Sequence, residues 1–528
     1  MNRIPLADLD GRSFDVAVVG AGINGVAAAH RLAAAGYSTL LVDKGDFASG
    51  TSGGSSRILH CGLRYLASGS SLGEILVHPG RFATACRMSR LAMVARAEFA
   101  RATPERTVPL TLCYPIYRDG PYAAWQLRAA FAILRLLGPA GRPLDFKLYK
   151  PEAARAALPF ARWLGSPDKL RAVATYTEWQ FEWPERIAMD AVLDAARLGA
   201  VARNYTGVTG LARDEGAGLW HLGLTDTLNG ASAQVSATVV LNTAGIWIDR
   251  VSQLANPNAP RRITGTKGIH VVMRLPPECA RFGVTAFNRE LWPYYCLPWR
   301  DLHYFGPTET LYEGDPDDVH ATEDEIEGVI DEANRLLPGL AISRDNVKFT
   351  WACVRPLTYD AALLPQGKRS REIHDLGPGG LPNVFAITAG PIMTHRSAGE
   401  KFLETVRRRI SPSGAPGAMS FAANMAASNG SPALLDHDPA LTLSELRARA
   451  ETEQVTSLID LLARRTRAGW SETMGFEAAE CAAETVGDIL GWDAARQQSE
   501  AHAYRVKLAH FNTLTGDPRE VPSVVARD

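Results

Sequence analysis

FDVAVVGAGINGVAAAHRLAAAGYSTLLVD, residues 14–43, decides the fold. The run FDVAVV reads as a buried strand, GAGING as a turn, the adjoining alanine-rich stretch as a helix closed by Gly36, and STLLV as a second strand. Gly20, Gly22 and Gly25 supply G-x-G-x-x-G between strand and helix, with Asn24 inside the motif and Asp43 at the end of the next strand. Glycines there let a pyrophosphate approach the helix N-terminus, where unpaired N–H groups and the helix dipole favour an anion, and the acid is placed to hold ribose hydroxyls. The chain therefore opens as a doubly wound α/β nucleotide-binding domain.

The residues just beyond Asp43 separate two dinucleotides. GDFASGTSGGSS, residues 45–56, offers further backbone N–H groups and the hydroxyls of Thr51, Ser52, Ser55 and Ser56. A nicotinamide domain passes directly into its next helix, whereas a second small-residue loop suits the longer, extended FAD. Two more β-rich segments, SATVVLNTAG ending at Gly245 and NVFAITAG ending at Gly390, run into small-residue turns as strands do when they end at a nucleotide. The FAD-binding domain is expected to be discontinuous, over 1–85, 176–261 and 351–410, with an inserted α+β substrate domain over 86–175 and 262–350. Ser, Gly and Pro mark 411–432 as a linker, and Thr442 with Glu445 has capping-box spacing at the head of a C-terminal helical domain over 433–528.

Composition narrows the function. The 528 residues carry 56 basic and 57 acidic side chains, so no global field favours nucleic acid. Seven cysteines, at 61, 86, 113, 279, 296, 353 and 481, form no CxxC pair, which argues against a zinc site or a disulfide framework and fits a reducing cytoplasm; no metal is expected. No apolar run reaches the roughly 18 residues of a membrane span. The stretch AAWQLRAAFAILRLLG, 123–138, puts Leu127, Phe131 and Leu134 on one helical face and Arg128 and Arg135 on another. That pattern suits an interfacial anchor, and better suits a helix packed on its own domain.

The stretch from Asp15 to Leu66, ending TSGGSSRILHCGLRYL, resembles the N-terminal signature of FAD-dependent glycerol-3-phosphate dehydrogenases, members of the D-amino-acid oxidase-like flavoprotein group. The likeness continues through NTAGIW (242–247), TKGIHVV (266–272), FGPTE (305–309), VRPL (354–357), AGPIMTHR (389–396) and LLARRTRAGW (461–470). It implies that His60, Cys61 and Gly62 pass beside the flavin and that Arg64 and Tyr65 project into the substrate pocket. Arg355 and Arg371 would join them; Arg369 competes with Arg371 for its place, and KRSREIHD also reads as a solvated turn. Arginine suits an anionic substrate through its bidentate fork. By the same resemblance His270, after Lys267 and Gly268, lies near the substrate hydroxyl, where a histidine takes a proton. Lys267, Gly390 and the amides of Ile392, Met393 and Thr394 would approach the cofactor.

The family pattern is not complete. The resembled turn has a lysine where this chain has Pro391 and a tyrosine where it has His395; HGG has become HCG at Cys61, and an aspartate has become Glu309. With that lysine gone, a differently placed anion or a bulkier polyol is expected to be favoured over a compact phosphate, and a protonated His395 would supply part of the missing contact to substrate. The function expected is an FAD-dependent dehydrogenase that oxidises a secondary alcohol of a small anionic polyol, glycerol-3-phosphate-like or a sugar-alcohol phosphate, by hydride transfer to flavin N5, with electrons passing to quinone. An amine or amino-acid oxidase on the same fold is the alternative; a flavin carrier without turnover is disfavoured by joint retention of Arg64, Tyr65, His270 and Arg355. FAD is expected to be non-covalent, with His60 the place for any covalent link. Peripheral contact with the inner face of the cell membrane and a homodimer both remain open.

Overall fold

The computed structural model describes residues 1–66, 79–139, 143–364, 367–423, 433–435 and 441–513. Its first strand, Ser13–Val19, lies at the heart of a sheet, parallel to Thr39–Val42 on one side and to Ser232–Asn242 on the other. The order continues to Val201–Arg203 at one edge and through Val384–Thr388 to Glu372–Asp375 at the other. Val16, Ala17 and Val18 are wholly buried because both faces are covered, which is why the strand reads as an unbroken apolar run. The two later β-rich segments of the sequence are thus neighbours of the first strand. A hairpin, Thr206–Asp214 with Leu219–Asp226, extends the same sheet from Ser232–Asn242.

A second, largely antiparallel sheet carries the remainder of the body. Its long ladders pair Thr107–Tyr117 with Leu170–Phe181 and Ile263–Met273 with Val347–Thr358. The borders expected at 175/176 and 350/351 therefore fall inside strands, and the one at 85/86 falls inside the helix Pro79–Ala102. Composition changes gradually along such ladders, so it cannot mark where one sheet takes over from the other. The helix Ala124–Leu137 buries Leu127, Phe131 and Leu134 against its own domain.

Of the stretch expected as a linker, residues 411–423 form a strap on the first domain, and 424–432 lie outside the described residues. Gly414 N–H donates to Gly36 O at 2.8 Å, Gly417 N–H to Ala34 O at 2.8 Å, and Ser413 Oγ to Asp15 Oδ2 at 2.6 Å. Gly36 sits at φ +90°, and any Cβ there would come within 2.3 Å of Gly414 O, so its glycine serves helix termination and strap docking together.

Thr442 Oγ1 accepts from Glu445 N at 3.2 Å, as the capping box predicts, and starts the helix Leu443–Thr452. That helix stops before Glu453, whose buried carboxylate is held by Arg186 and Arg449. A π-helical turn, Asp460–Arg465, then aims two consecutive arginines at one carboxylate. Arg464 Nε donates to Asp46 Oδ2 at 2.6 Å and Arg465 Nη2 to Asp46 Oδ1 at 2.6 Å. The C-terminal helices share a continuous apolar core with the second sheet, through Leu458, Leu462 and Tyr504 on one side and Phe349, Trp351 and Tyr304 on the other. Among the described residues no helix is long and apolar enough to cross a membrane.

Candidate active site

The glycine turn is closed to larger residues. Gly20 has φ +102°, and a Cβ on Gly25 would lie 1.9 Å from Gly20 O. Thr243 Oγ1 donates to Val19 O and Gly20 O, locking the first turn to the end of Ser232–Asn242, and Gly245, at φ +59°, opens the next turn. Asp43 accepts from Ala21 N at 2.7 Å and Gly45 N at 2.9 Å; burial pushes its carboxyl up to about 6, with both amides opposing the rise. Ser52 Oγ accepts from Ile23 N at 2.9 Å, at the start of the helix Ile23–Ala34. Asn24 Nδ2 donates to Gly390 O at 2.9 Å, joining the first turn of this helix to a loop 366 residues away, while Asn24 Oδ1 is buried without a partner. This cradle, with its orphan acceptor, helix N-terminus and acid at the strand end, fits an extended dinucleotide. Gly25→Ala is accordingly expected to yield protein purified without FAD, measured by flavin absorbance per chain; normal flavin content would show that the turn relaxes.

The second loop spends its hydroxyls within the protein. Thr51 Oγ1 donates to Val354 O at 2.7 Å, Cys353 Sγ lies 2.9 Å from Gly54 O, and Ser55 Oγ accepts from Arg57 N at 3.3 Å. Ser56 Oγ is 3.0 Å from His270 Nε2. The loop therefore ties the cofactor cradle to the strand Val347–Thr358. In that ladder Thr266 faces Arg355, Gly268 faces Cys353 and His270 faces Trp351, so alternation puts Arg355 and His270 on one face of the sheet. A Cβ on Gly268 would meet the Arg355 guanidinium at 2.1 Å, so glycine is what lets Arg355 lie flat across the strand.

His270 is buried and stacked on Trp351, 4.6 Å between centroids and 18° between planes. Burial, then the positive charges of Arg355 and Arg57, holds its pKa well below the usual value, so the ring is neutral; its Nδ1 has no partner. Arg57 is itself fully buried, its guanidinium 4.3 Å from the ring centroids of both Trp299 and Trp470.

Three arginines converge nearby. Arg355 donates through both Nη atoms to Thr308 O at 3.2 Å, and its Nη1 lies 3.9 Å from Glu309. Arg369 is paired with Glu309. Burial lowers the Arg369 pKa and the fields of Arg64 and Arg355 lower it further, against the pull of Glu309. Arg64, on the short helical turn Leu63–Leu66, has no ion-pair partner among the described residues. Tyr65 and Tyr295 both feel Arg64 and Arg369, and Tyr65 packs edge-on against His60 at 5.5 Å. His60 Nδ1 is buried without a partner, and burial, then Arg64, brings the imidazole down to about 3.

Several sequence expectations change. Arg371 donates to Thr394 O and Ser397 Oγ, fastening the turn at 391–394, whereas Arg369, two residues earlier, stands with Arg64 and Arg355. His395 is buried with Nδ1 2.6 Å from Ile392 O, and its pKa falls to about 3 through burial and Arg396. It lines a cavity with His30, Asp190 and Phe421, none of them in the arginine cluster, and it gains no proton between pH 6 and 8. The Lys267 ammonium is engaged within the protein, pairing with Glu325 at 2.7 Å and donating to His320 O. Gly62, at φ +91°, serves helix packing, since a Cβ would come 2.7 Å from Ser89 Cα. Cys61 turns to Glu178, which accepts from Cys61 N at 3.0 Å. Of the amides after Pro391, that of Thr394 is already bonded to Pro391 O, whereas Ile392 and Met393 begin the turn and have no backbone acceptor among the described residues. Glu178 itself, buried and pushed up to about 7, escapes sequence reasoning; a lone acid in the strand ATYTEWQF is its only signal.

Comparison with known proteins agrees with this geometry. Residues 15–396 match the family model described as FAD dependent oxidoreductase (DAO). Among curated relatives, glycerol-3-phosphate dehydrogenase of Synechocystis sp. is 31% identical over 421 residues, spanning 78% of this chain and 72% of the relative. The X-ray structure of glycerol-3-phosphate dehydrogenase from Bacillus halodurans, complexed with FAD, superposes with a TM-score of 0.70 at 18% identity, covering 96% of each chain. Glycine oxidase from Geobacillus kaustophilus has a TM-score of 0.55 at 20% identity, covering 78% of this chain and 99% of that one.

Proposed function

The chain belongs to the DAO family of FAD-dependent oxidoreductases, and on that premise we propose that it is a dehydrogenase oxidising a secondary alcohol of a phosphate-bearing polyol, glycerol-3-phosphate-like or a sugar-alcohol phosphate, with electrons passing on to quinone. The observation that carries this reading is the charge of the pocket. Among the described residues three guanidiniums, Arg64, Arg355 and Arg369, stand against one paired carboxylate, Glu309. Two positive charges remain, which match the nearly two negative charges of a phosphate monoester near pH 7 and exceed what an amino acid's carboxylate would neutralise. The amino-acid oxidase alternative is disfavoured on that ground. Arg369 supplies the cation that Pro391 cannot, from the loop before the strand Glu372–Asp375, so a compact phosphate is not rejected as Pro391 alone would imply.

In this reading Arg64, Arg355 and Arg369 grip the phosphate, with Tyr65 at the pocket wall. Bound FAD supplies the acceptor for the hydride equivalent of the alcohol carbon. Gly20, Gly25, Asn24, Asp43 and the turn at Gly390–Met393 hold it. His270 takes the hydroxyl proton at Nδ1, its ring fixed by Trp351 and by Ser56 at Nε2. Arg355 keeps the imidazolium that forms from persisting, so the proton is readily passed on. Contact with an anionic membrane face, where quinones reside, is supported by exposed Trp125 and Leu136 beside exposed Arg128 and Arg135 on the helix Ala124–Leu137.

The test is charge-selective. Arg369→Met and Arg355→Ala are each expected to lower kcat/KM on a polyol phosphate by about 10- to 150-fold, the worth of a charge-assisted hydrogen bond of roughly 1.5–3 kcal/mol. The unphosphorylated polyol should be affected far less. Equal losses on both compounds would remove the anion-binding role.

A further inference from the structure

We propose that Asp318, His320 and His510 form a binding site for a zinc-class divalent cation that clasps the helix Ala494–Phe511 to the loop before the helix Glu323–Leu336. His510 Nε2 lies 2.7 Å from Asp318 Oδ1, and His320 Nδ1 lies 3.4 Å from the same oxygen. One ligand atom from each of the three residues falls within 4.8 Å of the other two. A tetrahedral ion with bonds of about 2.0–2.2 Å spaces its ligands about 3.4 Å apart, so small side-chain rotations suffice to close the site. His320 Nδ1 has no hydrogen-bond partner, leaving a nitrogen uncommitted and directed at the cluster, while the two imidazole centroids are 4.7 Å apart.

Two imidazole nitrogens and a carboxylate oxygen suit Zn²⁺, Co²⁺ or Ni²⁺; Mg²⁺ and Ca²⁺ want oxygen-only shells. A three-ligand set leaves the fourth position for water. The residues are held in place without a metal. Tyr312 Oη donates to the carbonyls of Asp315 and Asp318, and Lys267 Nζ to that of His320 at 3.2 Å. On the helix side Thr513 Oγ1 donates to Ala321 O at 2.9 Å and Asn512 O accepts from Thr350 N at 2.9 Å. Both halves of the clasp are thus preorganised, and a cation would join them. The scattered cysteines said nothing of this site, because its ligands come from histidine and aspartate 192 residues apart.

The experiment is equilibrium dialysis of the tag-free, FAD-loaded full chain against Zn²⁺, with Mg²⁺ in parallel, followed by metal analysis. Wild type should hold one zinc per chain that His320→Ala and His510→Ala each lose or bind roughly tenfold or more weakly, at unchanged flavin content. Mg²⁺ should not compete. Both histidines are partly exposed, at 38% and 50%, so the variants should fold, and flavin content reports that they have. Equal zinc stoichiometry and affinity in wild type and both variants would overturn the proposal, as would loss of bound zinc to excess Mg²⁺.

Discussion

Asparagine in place of His270 is expected to lower kcat by about 100- to 10,000-fold, the usual worth of a positioned general base. Flavin content should not change, because among the described residues the hydrogen bond of His270 to the cradle side is the one to Ser56 Oγ. The wild-type pH profile carries the sign of its environment. Burial, with Arg355 and Arg57 nearby, disfavours the imidazolium, so the neutral base is present from well below pH 6.5 upward. Reduction of FAD by substrate should therefore be level between pH 6 and 8 as far as this residue is concerned. A histidine titrating near neutrality, natural to expect from the sequence, would instead give a limb near 6.5. Rapid-mixing measurement of flavin reduction in wild type and His270→Asn decides between them, since a variant of near-normal rate would remove His270 from the chemistry.

The second large effect concerns stability. Asp46 is almost wholly buried and receives Arg464, both Nη atoms of Arg465, and Asn204 Nδ2 at 2.9 Å. Asp46→Ala would leave the buried Arg465 and the partly buried Arg464 without that counter-ion, and removal of one partner from such a cluster costs about 3–5 kcal/mol. Although burial opposes ionisation, the two arginines hold the Asp46 carboxyl well below its usual range. A depressed acid stabilises the fold at every pH above its unfolded value near 3.9, and the contribution is lost only as pH falls through the lower folded value. The deficit of the variant should thus be undiminished from pH 5 to 8 in chemical denaturation. A shift under about 1 kcal/mol would mean that Arg464 and Arg465 find other partners at little cost.

Local pattern explains which features are legible in the sequence. The turn at Gly20–Gly25, Asp43, and the strands ending at Asn242 and Thr388 depend on residues close in sequence, whose periodicity and turn chemistry carry their own meaning. The capping residue Thr442 belongs to the same class. Asp46 does not: nothing near it in sequence announces partners 418 and 419 residues away. Arg369 and Arg371 are indistinguishable in composition, and only the course of the backbone sends one to Glu309 and the other to Thr394. Lys267 and His395 mislead for a related reason. Each stands in a motif at the site, but its charge or ring nitrogen is engaged by a neighbour, Glu325 or Ile392 O. Small-residue composition makes 411–423 look like a linker, when smallness is what allows the chain to lie close against Gly36 and Ala34.

The most direct test of the proposed activity is anaerobic mixing of the FAD-loaded protein with three sets of compounds, monitored by the loss of oxidised-flavin absorbance. The sets are polyol phosphates including glycerol 3-phosphate, the same polyols without phosphate, and amino acids. The proposed grip of the arginine cluster on a phosphate, beside a neutral His270, predicts rapid bleaching by at least one phosphate-bearing secondary alcohol, slow or no bleaching by its unphosphorylated form, and none by amino acids. Bleaching by an amino acid while every polyol phosphate leaves the flavin oxidised would contradict the account.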